Sequence, residues 1–506
     1  MLSKKQPTKD ISMLPIHPDT RKFQNHINHL DASSNANVAI WVRFLEKMEL
    51  ATMFAALGDT RQQGKITYSA PSLLSWAFST CAFRQGSKNA MHTALKGVKD
   101  PKKREGLKAL LQIDGDNCPH TRTVDDYLRT LNPMTLNNLL VQIFQKAFKS
   151  KLFYNHAAHL LPENCFYLGV DGFHTHSYDK PHAVDEHGNN CCPYCQPRKR
   201  KGASSATDVY YVHNFVTFVL LFPGGLQLPI YLHPLKARQT GFLQTDEEFK
   251  QECELNAAHE ILPIIRGLFP RLAFTFLGDS LYANEPFLQL CDSHNFDYII
   301  VRKEKRIPTL GKHCDQLAKT EMYQKYYTST QMQTRAKTKT IHQTQWFNGE
   351  MLVGGTTTNV LRFVETIEDL KGIKTSYKGE WLCSKRIDKH NCFRIARRGR
   401  LRWGHEDVHN TMKNRGFNAR HDMARADGNL WLAWKLMMFI AFAVFELFRH
   451  TALAQEAIKN GSVERAWMRF AQDMLQQLIN IAWSEIASSP ILQKKRIQFR
   501  FVFPRL

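Results

Sequence analysis

Two aspartates stand where apolar, strand-like runs end. Asp171 ends CFYLGVD and is followed by Gly172, and Asp279 ends AFTFLGD. Acids at the carboxyl ends of strands can point into the crevice where α/β proteins bind ligands. Two such carboxylates and a third acid can hold a pair of Mg²⁺ ions about 3.5–4 Å apart. Because strand-end aspartates also cap helices and turns, the third acid carries much of the argument.

The third acid lies in the basic segment RLRWGHEDVHNTMKNRGFN. Arg402, Glu406 and Lys413 have the spacing R-x3-E-x6-K. On a helix, Arg402 and Glu406 are one turn apart, and Lys413 returns to the same face two turns later. The acid can then ligate a metal ion while the two cations hold phosphates. The same spacing also fits a solvent-exposed helix face with salt bridges.

A second candidate metal site lies in HAVDEHGNNCCPYCQPRKRKG. Cys192 and Cys195 form a C-x2-C pair, and His182 or His187 could complete a structural zinc site. No second C-x2-C pair is present, so the full tetrahedral set stays open. The eleven cysteines have no regular spacing, and the first residues contain no apolar signal core. Both features predict a cytoplasmic protein.

The composition indicates a polyanionic partner. The net charge is +22, and 43% of residues are hydrophobic, which excludes wholesale disorder. Nucleic acid is the first candidate partner and an anionic membrane surface the second. The apolar segment 430–448 is about long enough to span a bilayer, yet it contains Lys435 and Glu446. We therefore predict a buried helix of a soluble core and no membrane partner.

Changes in composition and periodicity along the chain predict several regions. After about residue 165 the pattern predicts three strands, a helix, a strand, a helix and a strand, an α/β layer architecture. The predicted divisions are a polar arm (1–40), a helical and DNA-binding domain (41–155), an α/β domain (160–303 and 381–450), a β-rich insertion (304–380) and a C-terminal helical region (451–506).

Four motifs in this order resemble the DDE transposases of bacterial insertion sequences, over about residues 120–450. They are VDG at 170–172, KQECELNAAHEIL at 250–262, GDSLYAN at 278–284 and GRLRWGHEDVHNTMKNRGFN at 399–418. The related signature has Tyr three positions before the Arg, where this chain has Gly399. The resemblance implies an RNase H-like mixed sheet with flanking helices. It also implies that Asp171, Asp279 and Glu406 are the catalytic residues and bind two Mg²⁺ or Mn²⁺ ions.

The implied activity is DNA transposition. Such a protein binds the double-stranded ends of its element, cleaves phosphodiesters with metal-activated water and joins the 3′-OH strand to target DNA. It would act as a homodimer or higher oligomer at the bacterial nucleoid. Two alternatives stay open: a catalytically silent DNA-binding protein derived from a transposase, and an RNase H-like nuclease without strand transfer.

The predicted DNA contacts are mainly basic. Trp346 could stack on a flipped base, although a core position is the more common role of tryptophan. A run of four cations follows the C-x2-C pair and could contact the phosphate backbone, or form a solvated loop. The basic candidates are Arg402, Lys413, Arg198, Lys199, Arg200, Lys201, Arg397 and Arg398.

Overall fold

A computed structural model gives the fold. It describes residues 36–113, 117–150, 152, 163–184, 186, 190, 192–200, 202, 209–237, 246–323, 327–333, 338–369, 372, 374–424, 428–458, 464–494 and 497–501. Residues 1–35, which make up most of the predicted polar arm, lie outside the described residues.

The N-terminal part of the described chain is helical, as the sequence predicts. Ser69 and Asn132 cap two of the helices by accepting hydrogen bonds from backbone N–H groups. His120 caps the helix Thr121–Thr130 by accepting a hydrogen bond from the backbone N–H of Arg122. The helices are α1 (Ala36–Met48), α2 (Leu50–Ala55), α3 (Ala70–Ala82), α4 (Lys88–Lys96), α5 (Pro101–Leu111), α6 (Thr121–Thr130) and α7 (Pro133–Lys149).

The predicted order of strands and helices after residue 165 is confirmed. One short additional strand, β2, was not predicted. The elements are β1 (Phe166–Tyr178), β2 (Gln196–Lys199), β3 (Val209–Leu221), β4 (Gln227–Pro234), α8 (Asp246–Leu268), β5 (Phe274–Gly278), α9 (Glu285–Ser293) and β6 (Phe296–Val301).

These strands belong to one mixed sheet of ten strands. The order begins β2-β3-β1-β5-β6, and β4 pairs with β3 outside this path. It continues from β6 through β10 (Lys374–Cys383), β9 (Thr357–Glu368), β8 (Thr338–Met351) and β7 (Tyr327–Gln333). Strand β3 is antiparallel to both β1 and β4, whereas β1, β5 and β6 run parallel. The fold is therefore a mixed α/β architecture with a helical N-terminal region.

The segment between β6 and the basic helices is rich in strands. It contains α10 (Pro308–Leu317), β7 (Tyr327–Gln333), β8 (Thr338–Met351), β9 (Thr357–Glu368) and β10 (Lys374–Cys383). Residues 381–383 of β10 pair with residues 299–301 of β6. The strands of this segment thus continue the central sheet, which the sequence pattern did not predict.

A long apolar helix, α13 (Gly428–Arg449), forms the centre of the core. By length and composition it could span a membrane, and its apolar window is entirely buried in the protein. Phe439 contacts Phe173 and Phe215 of the sheet, with ring centroids 6.1 and 5.6 Å away. Toward its end, Phe448 contacts Trp41 of α1 at 4.9 Å. Helix α13 therefore joins the sheet to the helical region in a shared core.

The remaining helices flank this core. Helix α11 (Cys392–Arg400) and helix α12 (Trp403–Asn414) precede α13 and carry the basic segment. Four helices follow it, namely α14 (Ala452–Ile458), α15 (Glu464–Asn480), α16 (Trp483–Ala487) and α17 (Pro490–Gln493).

The central position of α13 predicts a large stability effect. Phe439→Ala removes a fully buried ring that contacts two sheet phenylalanines, so we expect a loss of about 3–5 kcal/mol in the free energy of unfolding. Chemical denaturation followed by circular dichroism measures it. The control is Val353→Ala, a residue 93% exposed, which should change stability by less than about 0.5 kcal/mol. Equal effects of the two changes would contradict this view of the core.

Candidate functional site

The parallel pairing of β1 and β5 brings two predicted acids to the same level of the sheet. Gly169 is the register partner of Leu277. Asp171 lies two residues farther along β1, and Asp279 lies two residues farther along the chain, directly after the end of β5. Strand β5 ends at Gly278, whereas β1 continues to Tyr178, so Asp171 lies within a strand and not at its end as expected. Neighbouring strands are about 4.8 Å apart, so the register brings the two acids close to each other.

A third acid, which the sequence analysis did not single out, lies beside them. Glu254 of α8 is only 4% exposed. Its carboxylate lies against Gly172: a Cβ atom added there would stand 1.9 Å from Oε1 of Glu254. Glycine is therefore required at position 172 to admit this side chain next to Asp171.

The buried hydroxyl of Tyr282 experiences the charges of these acids. Tyr282 is 1% exposed, and within the described residues its hydroxyl has no hydrogen-bond partner. Burial raises its pKa well above the usual value, and the charges of Glu254, Asp279 and Asp171 raise it further. All three carboxylates therefore act on one buried phenol.

A cleft of about 980 Å³ opens over Glu254 and Asp279. Its lining is rich in cations from the segment after β6 and from the sheet. Arg302 and Arg362 are held by Glu380, whereas Lys303, Lys305 and Lys378 are exposed. The basic lining residues are Arg302, Lys303, Lys305, Arg306, Arg362 and Lys378. The cleft thus combines acidic and basic lining residues, and we call the basic ones the basic rim.

Helix α12, which carries Glu406, packs across β1 and β3 through histidines. The Nε2 atoms of His405 and His409 lie 2.6 and 2.9 Å from the hydroxyl of Thr217, the register partner of Asp171. Nδ1 of His409 is 3.8 Å from the Asp171 carboxylate. Burial lowers the pKa of His405 to about 3, so this imidazole is neutral at physiological pH.

The predicted R-x3-E-x6-K face is partly formed in the structure. Arg402 donates a hydrogen bond of 2.8 Å to Glu406, whose side chain is 59% exposed. The ammonium group of Lys413 lies 4.6 Å from the centre of the Phe173 ring, two residues beyond Asp171 on β1. The helix therefore lies beside Asp171, but Glu406 pairs with Arg402 at the surface.

The other predicted DNA contacts are scattered. Arg198 is 3% exposed, Arg200 pairs with Asp179, and Lys199 is exposed. Lys201 lies outside the described residues. These positions are at the far end of β1, where β2 pairs with β3.

The cations of α11 lie at the opposite end of β1. Arg398 pairs with Glu163 and lies 5.5 Å from the Tyr167 ring, and Arg397 is exposed. Trp346 is half-buried against the hydrophobic core. Apart from Arg402 and Lys413, the predicted DNA contacts therefore do not surround Asp171.

The second candidate site is a compact Cys2His2 group. One ligand atom from each of His182, Cys192, Cys195 and His213 lies within 4.8 Å of the others, and the last three residues are buried. Two thiols and two imidazoles are a donor set that fits zinc. Three of the four residues match the sequence prediction. His213 takes the fourth position, and His187 lies outside the described residues.

Elements from three parts of the fold position this group. His213 belongs to β3, and its Nε2 lies 2.9 Å from Sγ of Cys195 and 3.4 Å from Sγ of Cys192. The backbone N–H of His182 donates to Cys195 at 3.2 Å. The His213 ring packs on Trp431 of α13 at 4.5 Å. The group therefore joins the end of the sheet to the central helix.

A buried carboxylate lies behind His182. Asp422 is 3.3 Å from Nε2 of His182, and it accepts hydrogen bonds from Trp431, Lys435 and the Tyr178 hydroxyl. Carboxylates in this position fix the orientation and protonation of a metal-binding imidazole. Lys435, which argued against a membrane span, thus balances the charge of Asp422 in the core.

The two thiols are electronically unequal. The hydrogen bond with Cys195, followed by those with His182 and His213, lowers the pKa of Cys192. The bond with Cys192 and burial raise the pKa of Cys195. Cys192 is therefore the thiol that loses its proton more readily, whereas metal ligation requires both sulfurs as thiolates.

Among the described residues, the Cys2His2 group is the one set of three or more His, Cys, Asp or Glu side chains with ligand atoms this close. Neither the set of Asp171, Asp279 and Glu406 nor the set of Asp171, Asp279 and Glu254 is gathered to such distances, so the joint role of these acids stays a prediction. Sequence reasoning missed His213 and Glu254. The available signals were a histidine inside the apolar strand VYYVHNFVTFVLL and an acid within the KQECELNAAHEIL motif.

Comparison of the chain with protein-family models and with curated proteins gives no match.

The Cys2His2 group predicts the metal content of the protein. We expect zinc-loaded protein to lose its zinc in the variants Cys195→Ser and His213→Ala, because each removes one of four ligands. Metal release is measured with a colorimetric zinc chelator. Cys118→Ser, at a half-exposed cysteine outside the group, should keep the metal. Retention of zinc by His213→Ala and its loss from His187→Ala would identify His187 as the fourth ligand.

Proposed function

We propose that the protein is a metal-dependent DNA transposase with an RNase H-like catalytic domain. The carrying observation is the register of β1 and β5, which brings Asp171 and Asp279 together beside a cleft with a basic rim. The sequence resemblance independently assigns these two aspartates to the catalytic triad. The order of elements, three main strands, a helix, a strand, a helix and a strand, also agrees with such a domain.

The donor chemistry of the site fits a hard divalent cation. Asp171 and Asp279 offer carboxylate oxygens, which Mg²⁺ and Mn²⁺ prefer, and their charges act on the buried Tyr282 hydroxyl, which has no hydrogen-bond partner among the described residues. Ions bound there would supply a nucleophile at neutral pH and stabilise negative charge on the leaving oxygen. The proposed role of Asp171 and Asp279 is to hold them on the rigid sheet.

The basic rim supports a phosphodiester substrate. Exposed Lys303, Lys305 and Lys378 line the same cleft as Glu254 and Asp279, so these cations could contact the phosphates of a DNA strand bound there. Side chains that neutralise phosphates position nucleic acid without reading its sequence. Arg302 and Arg362 hold the rim in place through Glu380.

Glu406 completes the proposed triad from α12. Its neighbours His405 and His409 anchor the helix on Thr217, next to Asp171. Glu406 pairs with Arg402, but its side chain is exposed, so its carboxylate is accessible to bound DNA. In the proposed complex Arg402 and Lys413 contact phosphates.

Replacement of the paired aspartates tests the proposed chemistry. We expect Asp171→Asn and Asp279→Asn to reduce Mg²⁺-dependent cleavage of the DNA flanking the gene roughly a hundredfold or more, the scale of losing a charge-stabilising group. DNA binding should persist, since Asn keeps the backbone hydrogen bonds that each side chain accepts. Cleavage is mapped on sequencing gels, and Glu304→Gln in the same cleft is the control.

The same assay separates the alternatives. A plasmid target scored for joined products distinguishes transposition from a nuclease without strand transfer. Uncut DNA with wild-type protein would support the silent DNA-binding protein. Full activity of both Asn variants would contradict the role of these acids.

The basic rim predicts a change in salt dependence. Lys303→Ala, Lys305→Ala and Lys378→Ala combined should weaken DNA binding. The slope of log affinity against log salt should fall by about 0.9 for each phosphate that the protein no longer neutralises. Fluorescence anisotropy at several salt concentrations measures it. The combined change Lys199→Ala and Arg200→Ala tests the surface predicted from sequence in parallel. An unchanged slope would exclude contact between the rim and phosphates.

A further inference from the structure

We infer that Glu254 is a further ligand for the divalent cation held by Asp171 and Asp279, and this inference rests on the metal-dependent site of the proposed function. Glu254 lies outside the R-x3-E-x6-K motif and comes from a different helix, α8. On this inference, Asp171, Asp279 and Glu254 would bind the cation before DNA is bound.

The first observation is the close contact between α8 and β1. The Glu254 carboxylate occupies the space that any side chain at position 172 would fill, since Oε1 lies 1.9 Å from the site of a Cβ atom. Position 172 directly follows Asp171 in the strand. The missing side chain of Gly172 thus lets a second carboxylate reach the sheet beside the first.

The second observation is the burial of this carboxylate. Glu254 is 4% exposed, yet it lines the cleft together with Asp279. Removing a carboxylate from water is costly, and placing it near two further acids adds repulsion. A divalent cation among the oxygens would offset the mutual repulsion of the three acids.

The third observation is independent of the acids themselves. The Tyr282 hydroxyl is buried, the charges of all three carboxylates act on it, and it has no hydrogen-bond partner among the described residues. A buried hydroxyl without a partner costs about 1–3 kcal/mol. It can donate to a carboxylate oxygen or to a water molecule of a hydrated cation. Tyr282 therefore points to a ligand between Glu254, Asp171 and Asp279.

Glu254 and Glu406 differ in what they can contribute. Glu406 is 59% exposed and forms an ion pair with Arg402. Glu254 is already inside the site, on the long helix that packs on β1. Metal binding without DNA should therefore depend on Glu254 more than on Glu406.

Manganese binding to the full-length, zinc-loaded protein tests this inference without DNA. Mn²⁺ titration followed by electron paramagnetic resonance gives the affinity, and thermal melting gives the rise in Tm on metal binding. We expect Glu254→Gln to weaken binding roughly tenfold or more and to abolish the rise in Tm. Glu260→Gln, on the same helix and 64% exposed, should leave both unchanged.

A second variant acts through position rather than charge. Gly172→Ala keeps every acid but displaces the Glu254 carboxylate, so it should weaken Mn²⁺ binding in the same way. Melting of the metal-free variants, compared with wild type, reports whether each still folds. If Glu254→Gln folds and binds Mn²⁺ with wild-type affinity, the inference is overturned.

The inference and the proposed function can fail separately. Loss of Mn²⁺ binding in Glu254→Gln, together with wild-type protein that cuts no DNA, would keep the metal ligand and overturn the transposase. Loss of DNA cleavage in Asp171→Asn with normal Mn²⁺ binding by Glu254→Gln would keep the transposase and overturn the ligand.

Discussion

The parallel pairing between β1 and β5 is the constraint on which the candidate site depends. Only residues 166–169 pair with 274–277, and β1 then turns its hydrogen bonds to β3 alone. Beyond Gly278, where β5 ends, β1 has no strand partner on this side among the described residues. Asp171 and Asp279 lie at equivalent positions of the register at this point. A shift of one residue in this register would move one aspartate to the other face of the sheet. The elements that pack on β1 help to hold this register.

Helix α13 packs on one face of the sheet and helps to hold its strands in place. It packs on β1 and β3 through Phe439 and carries Lys435, whose ammonium group donates to the carbonyls of Ala419 and His421 and pairs with Asp422. Through Asp422 the same helix supports His182 of the Cys2His2 group. A metal at that group would tie the end of β1 to α13, so stability and zinc content should be coupled.

Much of the fold could be predicted from the sequence, because periodicity and turn residues mark elements locally. The strands, helices and buried character of 430–448 follow from such patterns. Contacts between distant segments do not. Glu254 joins the acidic site only because α8 packs on Gly172. His213 joins the Cys2His2 group only because β3 lies next to the C-x2-C loop. The strands of 304–380 join the central sheet through β10, a pairing that no local pattern encodes.

Gly399 is a second example of a long-range contact that the sequence pattern does not show. Sequence comparison with the transposase signature marks it as a departure, since the signature has Tyr there. In the structure, a Cβ atom at this position would lie 2.6 Å from Nε1 of Trp381, which is itself buried in β10. The indole occupies the space that a side chain at 399 would need. The departure therefore has a packing cause, and it leaves the placement of Glu406 on the next helix unaffected.

Strand β1 links two sites of opposite donor chemistry. Its middle carries Asp171, in a setting of carboxylate oxygens, and its end carries Tyr178, next to thiols and imidazoles. Oxygen donors favour Mg²⁺ or Mn²⁺, whereas thiolate and imidazole favour Zn²⁺. Since selectivity follows from the donors, zinc could stay bound at the Cys2His2 group while the acidic site exchanges its cation. On the proposed function, one strand would thus combine a permanent structural ion with a catalytic one.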